Sequence, residues 1–413
     1  MRLKKPALAL SQLFLFALLL WSQTAPARGT AFIVNRDNDF ADRDLADGIC
    51  DYSVNPGDQC SLRAAIEQLN ALGAGPAPHV ISFDIPGDGP HVIEPTTALP
   101  SIGVPITIVG TSQAGGLCPT ETEPAELQIV IRGRGTGNGL TLLEPASGSV
   151  VGGLAIGNFN FGVLIAASNS RLQCSHIGLA PDGLTPMPNE YGVVIAAPDV
   201  QIGRAADPRY RNVISGNNAG VSFASGDGQS RLAGNYIGTT ADGLTALGNE
   251  VGVIVSSDEN VVNGNLISGN NVYAILIDGD DTVIQGNRVG LSVADAAVPN
   301  GSGITFLGGM DTIVGGIGAG EGNEIAHNGG PGILLFDFSA LQIHNAIRGN
   351  EIYANQDINI DLGGDGIDVN DPGDGDEGSN EHQNYPVLAA QAGDPHLQIS
   401  LNSAANASYA IDL

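Results

Sequence analysis

The strongest constraint in this sequence is that it repeats itself. The stretch 171–195, RLQCSHIGLAPDGLTPMPNEYGVVI, returns at 231–255 as RLAGNYIGTTADGLTALGNEVGVIV. A shorter phrase, Asn-x-(Ile/Val), recurs more widely and begins at Asn212, Asn235, Asn265, Asn287, Asn323 and Asn350. The smallest steps between these asparagines, 22 and 23 residues, indicate one structural unit. The larger steps indicate the same unit with an inserted loop.

Between the asparagines, short β-branched runs alternate with Gly and Asn. Runs such as GVVIA, VGVIV and YAILI place apolar residues at alternate positions, which is the pattern of short β-strands. Units of this length with two or three short strands are typical of a parallel β-helix, in which each coil stacks on the previous one. The fold is therefore expected to be all-β.

Stacked coils bring equivalent side chains into vertical register. An asparagine amide can donate to the asparagine of the next coil and accept from that of the previous coil, so we predict a hydrogen-bonded ladder. Four units add a second asparagine five residues on, at Asn217, Asn270, Asn328 and Asn355. We assign both sets a structural role and not a ligand-binding one.

The first 27 residues have the pattern of a secretory signal peptide. A positive start with Arg2, Lys4 and Lys5 precedes an apolar run, and small residues follow at Ala25 and Ala27. This predicts an exported protein beginning near residue 28, secreted or held at the bacterial outer surface. No later stretch of the sequence qualifies as a membrane span.

The chain is strongly acidic, with 44 Asp and Glu against 16 Lys and Arg and a net charge of −28. Such a surface repels nucleic acid, which needs a cationic footprint, so nucleic acid is excluded as a partner. Unaided binding of anionic glycans is disfavoured for the same reason. An extracellular polysaccharide or a cell-surface protein remains as a candidate partner, and the oligomeric state is left open.

The four cysteines suggest disulfides in an exported protein. Cys50 and Cys60 share one loop and are the predicted pair. Cys118 and Cys174 would join distant segments. That pairing stays open against a second interpretation, in which Cys174 is a small buried residue in place of Gly234 of the other copy.

One stretch has helical spacing. In CSLRAAIEQLNAL, Ser61 is a good N-cap, and apolar residues follow at the i, i+3, i+4 and i+7 positions of one helix face. Stacked coils leave exposed strand edges at their ends, which natural proteins protect. We predict that this helix covers the first coil.

The same stretch resembles a known sequence signature. CSLRAAIEQLNA resembles the signature of bacterial CSLREA-domain proteins, with Ala64 where the family has Glu. NVISGN, NYIGT and ALGNEVGV resemble the right-handed parallel β-helix repeats that commonly follow it, and residues 361–388 resemble the acidic close of such repeats. The resemblance implies a pectate-lyase-like right-handed parallel β-helix, secreted or at the cell surface, and no defined activity.

The expected domain organisation follows from these features. A signal peptide at 1–27 precedes an N-terminal cap at 28–78 with the CSLREA-like helix, and a parallel β-helix occupies 79–385. Residues 386–413 are expected to form C-terminal strands, which resemble the start of a truncated β-sandwich module.

Catalysis is the next possibility, because β-helices host polysaccharide lyases and hydrolases. The chain lacks the Gly-His-Gly, Trp-Ile-Asp-His and Arg-x-Pro-x-x-Arg motifs of those enzymes, and after residue 27 it has no Lys and therefore no Arg-x-Lys. Asp280 and Asp281 resemble a catalytic carboxylate pair but are interpreted as a turn. His176 aligns with Tyr236 of the other copy, and His327 stands where other copies have Gly. We predict no catalytic residue.

The leading functional hypothesis is a non-enzymatic scaffold or adhesion module. The alternative is a polysaccharide lyase or glycoside hydrolase with an atypical site. Aromatic residues near strand ends could line a glycan-binding face or stack in the core: Tyr191, Phe223, Tyr236, Tyr273, Phe306 and Phe336.

The strongest chemical candidate is a Ca²⁺ site in the acidic, Gly-rich stretch near the C-terminus. Flexible acidic loops supply the six to eight oxygens that Ca²⁺ takes. The spacing does not match an EF-hand, and a solvated loop is the competing interpretation. The predicted ligands are Asp365, Asp368, Asp371, Asp374 and Asp376.

Overall fold

A computed structural model describes residues 29–54, 59–224, 228–337, 342–390, 397–404, 408 and 410. The predicted signal peptide at 1–27 lies outside these residues. None of the helices within them is long and apolar enough to cross a bilayer.

Three parallel sheets form the framework of the described chain, and turns and loops join their short strands. Sheet A contains Ala31–Val34, His79–Phe83, Ile106–Val109, Val150–Gly152, Arg171–Gln173, Gln201–Gly203, Arg231–Ala233, Val261–Asn263, Val283–Gln285, Ile313–Gly315 and Ala346–Arg348. Sheet B contains His91–Ile93, Ile129–Arg132, Leu154–Gly157, His176–Ile177, Val213–Ile214, Tyr236–Ile237, Leu266–Ile267, Arg288–Val289, Glu324–Ala326 and Glu351–Tyr353. Sheet C contains Asn138–Leu143, Phe161–Ala166, Tyr191–Ile195, Ala219–Phe223, Val251–Val255, Tyr273–Ile277, Ser302–Phe306, Ile333–Phe336 and Ile360–Gly363.

From Ile106–Val109 onward the chain visits sheets A, B and C in turn, and each strand pairs in parallel with the strand one coil later. This topology is a right-handed parallel β-helix, so the predicted fold is confirmed. Inward Val, Ile and Leu side chains form one continuous core along the stack. Their burial is the main favourable term in folding, because each coil covers the apolar interior of its neighbour.

Two asparagine ladders run along the stack, as predicted. The ladder between sheets A and B contains Asn212, Asn235, Asn265, Asn287, Asn323 and Asn350, with Nδ2–Oδ1 distances of 2.8–3.1 Å. The ladder between sheets B and C contains Asn189, Asn217, Asn249, Asn270, Asn300, Asn328 and Asn355, with distances of 2.9–3.0 Å. Three members of the second ladder, Asn189, Asn249 and Asn300, were not predicted.

Those three asparagines end loops that are inserted into alternate coils. The loops occupy residues 178–188, 238–248 and 290–299, and each closes with an antiparallel bridge such as that between Leu179 and Pro186. The loops also stack on one another across the intervening coil, because Ala241 N–H donates to the Gly183 carbonyl at 3.1 Å. Gly183 has φ +66°, and an added Cβ would lie 2.3 Å from the Ala241 Cβ.

The N-terminal end of the stack is covered. The helix Leu62–Leu72 begins at Ser61, whose Oγ accepts a hydrogen bond from Ala64 N–H, and its apolar stripe joins the core. Arg63 is buried and forms a bidentate salt bridge with Asp39, with Nε–Oδ1 and Nη2–Oδ2 distances of 2.9 and 3.1 Å. The predicted N-cap and apolar stripe are confirmed.

Both disulfides are present. Cys50 pairs with Cys60, as predicted, with a Cα–Cα distance of 5.2 Å. Cys118 pairs with Cys174 across 56 residues, with a Cα–Cα distance of 5.3 Å. The second pair ties the segment around residue 118 to the corner between sheets A and B.

The C-terminal end is built differently. The core residues of the last coil, Ile347, Ile352 and Leu362, are only half-buried. An antiparallel pair of strands, Val387–Ala390 and Leu397–Ser400, follows the last coil.

Candidate calcium loop and outer binding face

The acidic stretch after the last coil brings three of the five predicted ligands together. Asp371, Asp374 and Asp376 each offer a carboxylate oxygen, and these oxygens lie within 4.8 Å of one another. Asp371 and Asp374 are half-buried, whereas Asp376 is exposed. An all-oxygen donor set of this kind suits Ca²⁺, which prefers hard carboxylate ligands from flexible loops.

The loop is held in shape by Asn384, a buried residue that was not among the predicted site residues. Its backbone N–H donates to Asp374 Oδ1 at 2.7 Å, and its Nδ2 donates to the Asp371 carbonyl at 2.8 Å. Its Oδ1 accepts from Asp371 N–H at 2.9 Å. Asn384 therefore positions two of the three converging carboxylates. Asn384 follows the acidic run in the segment HQNYPVL, and a single Asn in such a position is too common to single out from sequence.

The other two predicted ligands lie elsewhere. Asp368 Oδ2 is 3.3 Å from His382 Nδ1, whose other nitrogen lies 2.7 Å from Asp337 Oδ2. Burial alone would lower the pKa of His382, but the hydrogen bond to Asp337 and the charge of Asp368 outweigh it and raise that pKa above 6.5. Asp365 is close enough to Asp361 to help burial raise the pKa of that carboxyl group.

A second feature with binding potential is the outer face of sheet C. We name two rows of residues on five successive strands the aromatic strip, and all of them are partly exposed except the buried Ala219. One row contains Phe161, Tyr191, Ala219, Val251 and Tyr273, and the other contains Leu164, Val194, Ser222, Ile254 and Leu276. At the strand spacing of a sheet, each row is about 19 Å long. The rings of Phe161 and Tyr191 meet edge to face at 5.6 Å.

Polar side chains border the aromatic strip on one side. Asn218 Nδ2 donates to Glu190 Oε1 at 2.8 Å, and Asn271 Nδ2 donates to Glu250 Oε1 at 3.0 Å. All four residues are exposed. The border therefore presents carboxylate and amide groups beside an apolar platform.

Two of the six candidate aromatic residues belong to the core instead. Phe223 and Phe306 are fully buried, because each occupies the last, inward-facing position of its sheet C strand. Tyr191 and Tyr273 occupy the first, partly exposed position of equivalent strands. Strand position therefore separates surface from core aromatics.

The residues considered for catalysis lie in turns or make packing contacts and hydrogen bonds within the fold. Asp281 adopts a positive φ of 51°, and Asp280 Oδ1 accepts from Met310 N–H at 2.8 Å, as expected of a turn. His176 is buried under the first inserted loop, and burial lowers its pKa to about 4. The neutral ring donates from Nδ1 to the Ala180 carbonyl at 3.2 Å. His327 packs edge to face on Tyr353 at 5.8 Å.

No family model matches this chain, and no curated protein matches it. Among solved structures, the chain is similar to the Dettilon tailspike protein, with 14% sequence identity, a TM-score of 0.40, and coverage of 76% of this chain and 66% of that one. It is also similar to the pectate lyase Pel9A, with 12% identity, a TM-score of 0.28 and coverage of 80% and 75%. An alginate lyase from Paenibacillus sp. shares 14% identity, with a TM-score of 0.26 and coverage of 69% and 90%.

Proposed function

We propose that this chain is an exported, non-enzymatic β-helix scaffold or adhesion module that binds an extended neutral polysaccharide along the aromatic strip. The observation that carries the proposal is the partly exposed pair of rows on sheet C, with Tyr191 and Tyr273 as its polar-tipped aromatic members. Apolar sugar faces pack on such platforms, and Tyr offers a hydroxyl for orientation.

The polar border favours a neutral ligand. Glu190 and Glu250 would accept hydrogen bonds from sugar hydroxyls and would repel carboxylate or sulfate groups. A row about 19 Å long suits several sugar units of an extended polymer rather than a single small molecule.

Surface location is part of the proposal. The positive and apolar start at residues 1–27 supports export, and the CSLREA-like sequence around the helix Leu62–Leu72 supports a place at the bacterial surface. We retain the division into a cap at 28–78, a β-helix at 79–385 and C-terminal strands at 386–413. Ala31–Val34, inside the cap, already pairs with His79–Phe83 in sheet A.

Binding at the aromatic strip is tested with a glycan array followed by calorimetry. We expect neutral oligosaccharides to bind, and we expect Tyr191→Ala and Tyr273→Ala each to weaken the affinity by about ten-fold, because each removes a stacking surface. Tyr385→Ala is the matched control, since Tyr385 is 48% exposed and lies beside the last coil, outside the aromatic strip. Equal losses in all three variants would contradict the proposal, and release of shortened products would favour the lyase or hydrolase alternative.

We also propose that Asp371, Asp374 and Asp376 bind Ca²⁺ and stabilise the C-terminal segment. Calcium at a hundred times its dissociation constant should add about 2.7 kcal/mol to the stability of the unit that binds it. The measurement is thermal unfolding in CaCl₂ and in EDTA. Asp374→Asn should abolish the difference, whereas Asp365→Asn should preserve it, because Asp365 lies outside the cluster. Identical melting curves in CaCl₂ and EDTA would rule out the site.

A further inference from the structure

The corner between sheets A and B carries an insertion in one of the middle coils. The preceding and following coils cross this corner in two residues, Cys174–Ser175 and Gly234–Asn235, whereas residues 204–212 take nine. The insertion contains a short 3₁₀ turn, Pro208–Tyr210, which begins at Asp207. It leans onto the next coil, because a Cβ added to Gly234 would lie 2.4 Å from the Arg204 carbonyl oxygen.

Five of the chain's 16 cationic residues lie at this corner or on the sheet A strands that lead into it. We name the group the arginine corner, and it consists of Arg171, Arg204, Arg209, Arg211 and Arg231. Arg171 and Arg231 lie in one register column of sheet A, on either side of Gln201. Two strand spacings place them about 10 Å apart along the helix axis.

Four of these arginines form no salt bridge in the part of the chain that the structure describes, although Arg204 is close enough to Asp207 to lower the pKa of that carboxyl group. Arg209 pairs with Asp207 at 2.9 Å. Within the described residues, no carboxylate oxygen lies within 4.0 Å of Arg171, Arg204, Arg211 or Arg231, although the chain has 44 Asp and Glu. Guanidinium groups without a salt bridge create a local region of positive potential, although the net charge of the whole protein is strongly negative.

Two of the guanidinium groups are held in place by aromatic rings. Arg211 lies 4.2 Å from the ring centre of Tyr236, and Arg204 lies 4.8 Å from that of Tyr210. Arg211 also donates to the Thr120 carbonyl at 3.3 Å. Thr120 is two residues from Cys118, so the disulfide to Cys174 anchors this support. Stacking restricts the guanidinium plane and leaves its outer N–H groups available.

We infer that the arginine corner binds a polyanionic polysaccharide. A guanidinium group matches a carboxylate or sulfate through two parallel hydrogen bonds, and stacked guanidinium groups lose little freedom on binding. A chain of charged sugars along the helix axis would meet Arg171 and Arg231 in turn, with Arg204 and Arg211 beside it. This site lies on a different face from the aromatic strip and does not depend on it.

The test is affinity electrophoresis and calorimetry of the full chain with polygalacturonate, dextran sulfate and uncharged dextran, all in EDTA. We expect the two charged polymers, or one of them, to bind, and we expect physiological salt to weaken binding relative to low salt. The comparison between the polymers distinguishes carboxylate from sulfate recognition. Uncharged dextran should not compete for this site.

The decisive variant is Arg204→Gln with Arg211→Gln, which should lower the affinity for the charged polymer by about ten-fold or more. The matched control is Arg132→Gln, because Arg132 is exposed on sheet B and already paired with Glu94. Tyr191→Ala should leave polyanion binding unchanged. No binding by the unmodified chain in EDTA, or equal losses in the control, would overturn the inference. Binding that requires added Ca²⁺ would overturn it too, because bridging by calcium at acidic groups would then explain it.

Discussion

Asn270 and Asn355 belong to the same ladder, but their surroundings differ. Asn270 accepts from Asn249, donates to Asn300 at 2.9 Å and is almost completely buried. Asn355 accepts from Asn328 at 2.9 Å and is half-buried, and its Nδ2 donates to the Ile325 carbonyl at 3.2 Å but, among the described residues, to no further asparagine. A coil within the stack is stabilised by two neighbours, whereas the last coil has one. Position along the stack therefore decides how much the same residue type contributes.

The largest effect should come from the core. Ile275→Ala should lower the free energy of unfolding by about 4 kcal/mol, because it leaves a cavity between two coils in a fully buried site. Ile352→Ala, in the half-buried last coil, should cost about 1–2 kcal/mol. Urea unfolding followed by circular dichroism measures both. Equal costs would show that the last coil is covered as well as the interior ones.

Acid should act on the interior through His176. The pKa of His176 in the folded chain is about 4, below its ordinary value of 6.5. Between these two pH values the imidazole is protonated in the unfolded chain and neutral in the folded chain. Stability should therefore fall as the pH drops from about 6.5 to about 4, by about 3 kcal/mol in all, with no further contribution below.

The matched variant is His176→Tyr, because Tyr236 occupies the same register column beneath an equivalent loop. Stability measured against pH should lose this acid-dependent component in the variant. A curve of unchanged shape would show that His176 is not the group responsible.

Substitutions in the asparagine ladder should show a smaller difference in stability between an interior coil and the last coil. Asn270→Ala should cost about 2 kcal/mol, because it removes the oxygen that accepts from the backbone N–H and Nδ2 of Asn249 and the amide that donates to Asn300 Oδ1. Asn355→Ala should cost less than about 1 kcal/mol, since water can reach the end of the ladder. Asn270→Asp is a useful companion, because it keeps the shape but cannot donate to Asn300. A cost for Asn355→Ala as large as that for Asn270→Ala would break the comparison.

The repeat pattern predicted the coils well because stacking imposes it residue by residue. The second ladder was predicted incompletely because inserted loops move Asn189, Asn249 and Asn300 away from the five-residue spacing. A signal was available, since each of these asparagines follows a Pro or Gly that ends its loop. Spacing alone fails wherever a loop is inserted, whereas the residue type before the asparagine does not.

The candidate sites were harder to predict from sequence. The five aspartates form one run in the sequence, yet Asp368 turns toward His382, which also contacts Asp337 from an earlier coil. The unpaired state of Arg204 and Arg211 depends equally on which side chains meet at the corner. The amino-acid composition gives the number of charged residues, but the three-dimensional structure is needed to determine which of them form salt bridges.

The stacking of loops across alternate coils has an evolutionary consequence. Because the loop around Gly183 contacts the loop around Ala241 over a coil that has none, the structural repeat contains two coils. The two similar stretches at 171–195 and 231–255 have this period. Such a gene should therefore lengthen by duplication of pairs of coils. A single added coil would shift the alternation, so that each later loop would no longer stack on the loop two coils before it.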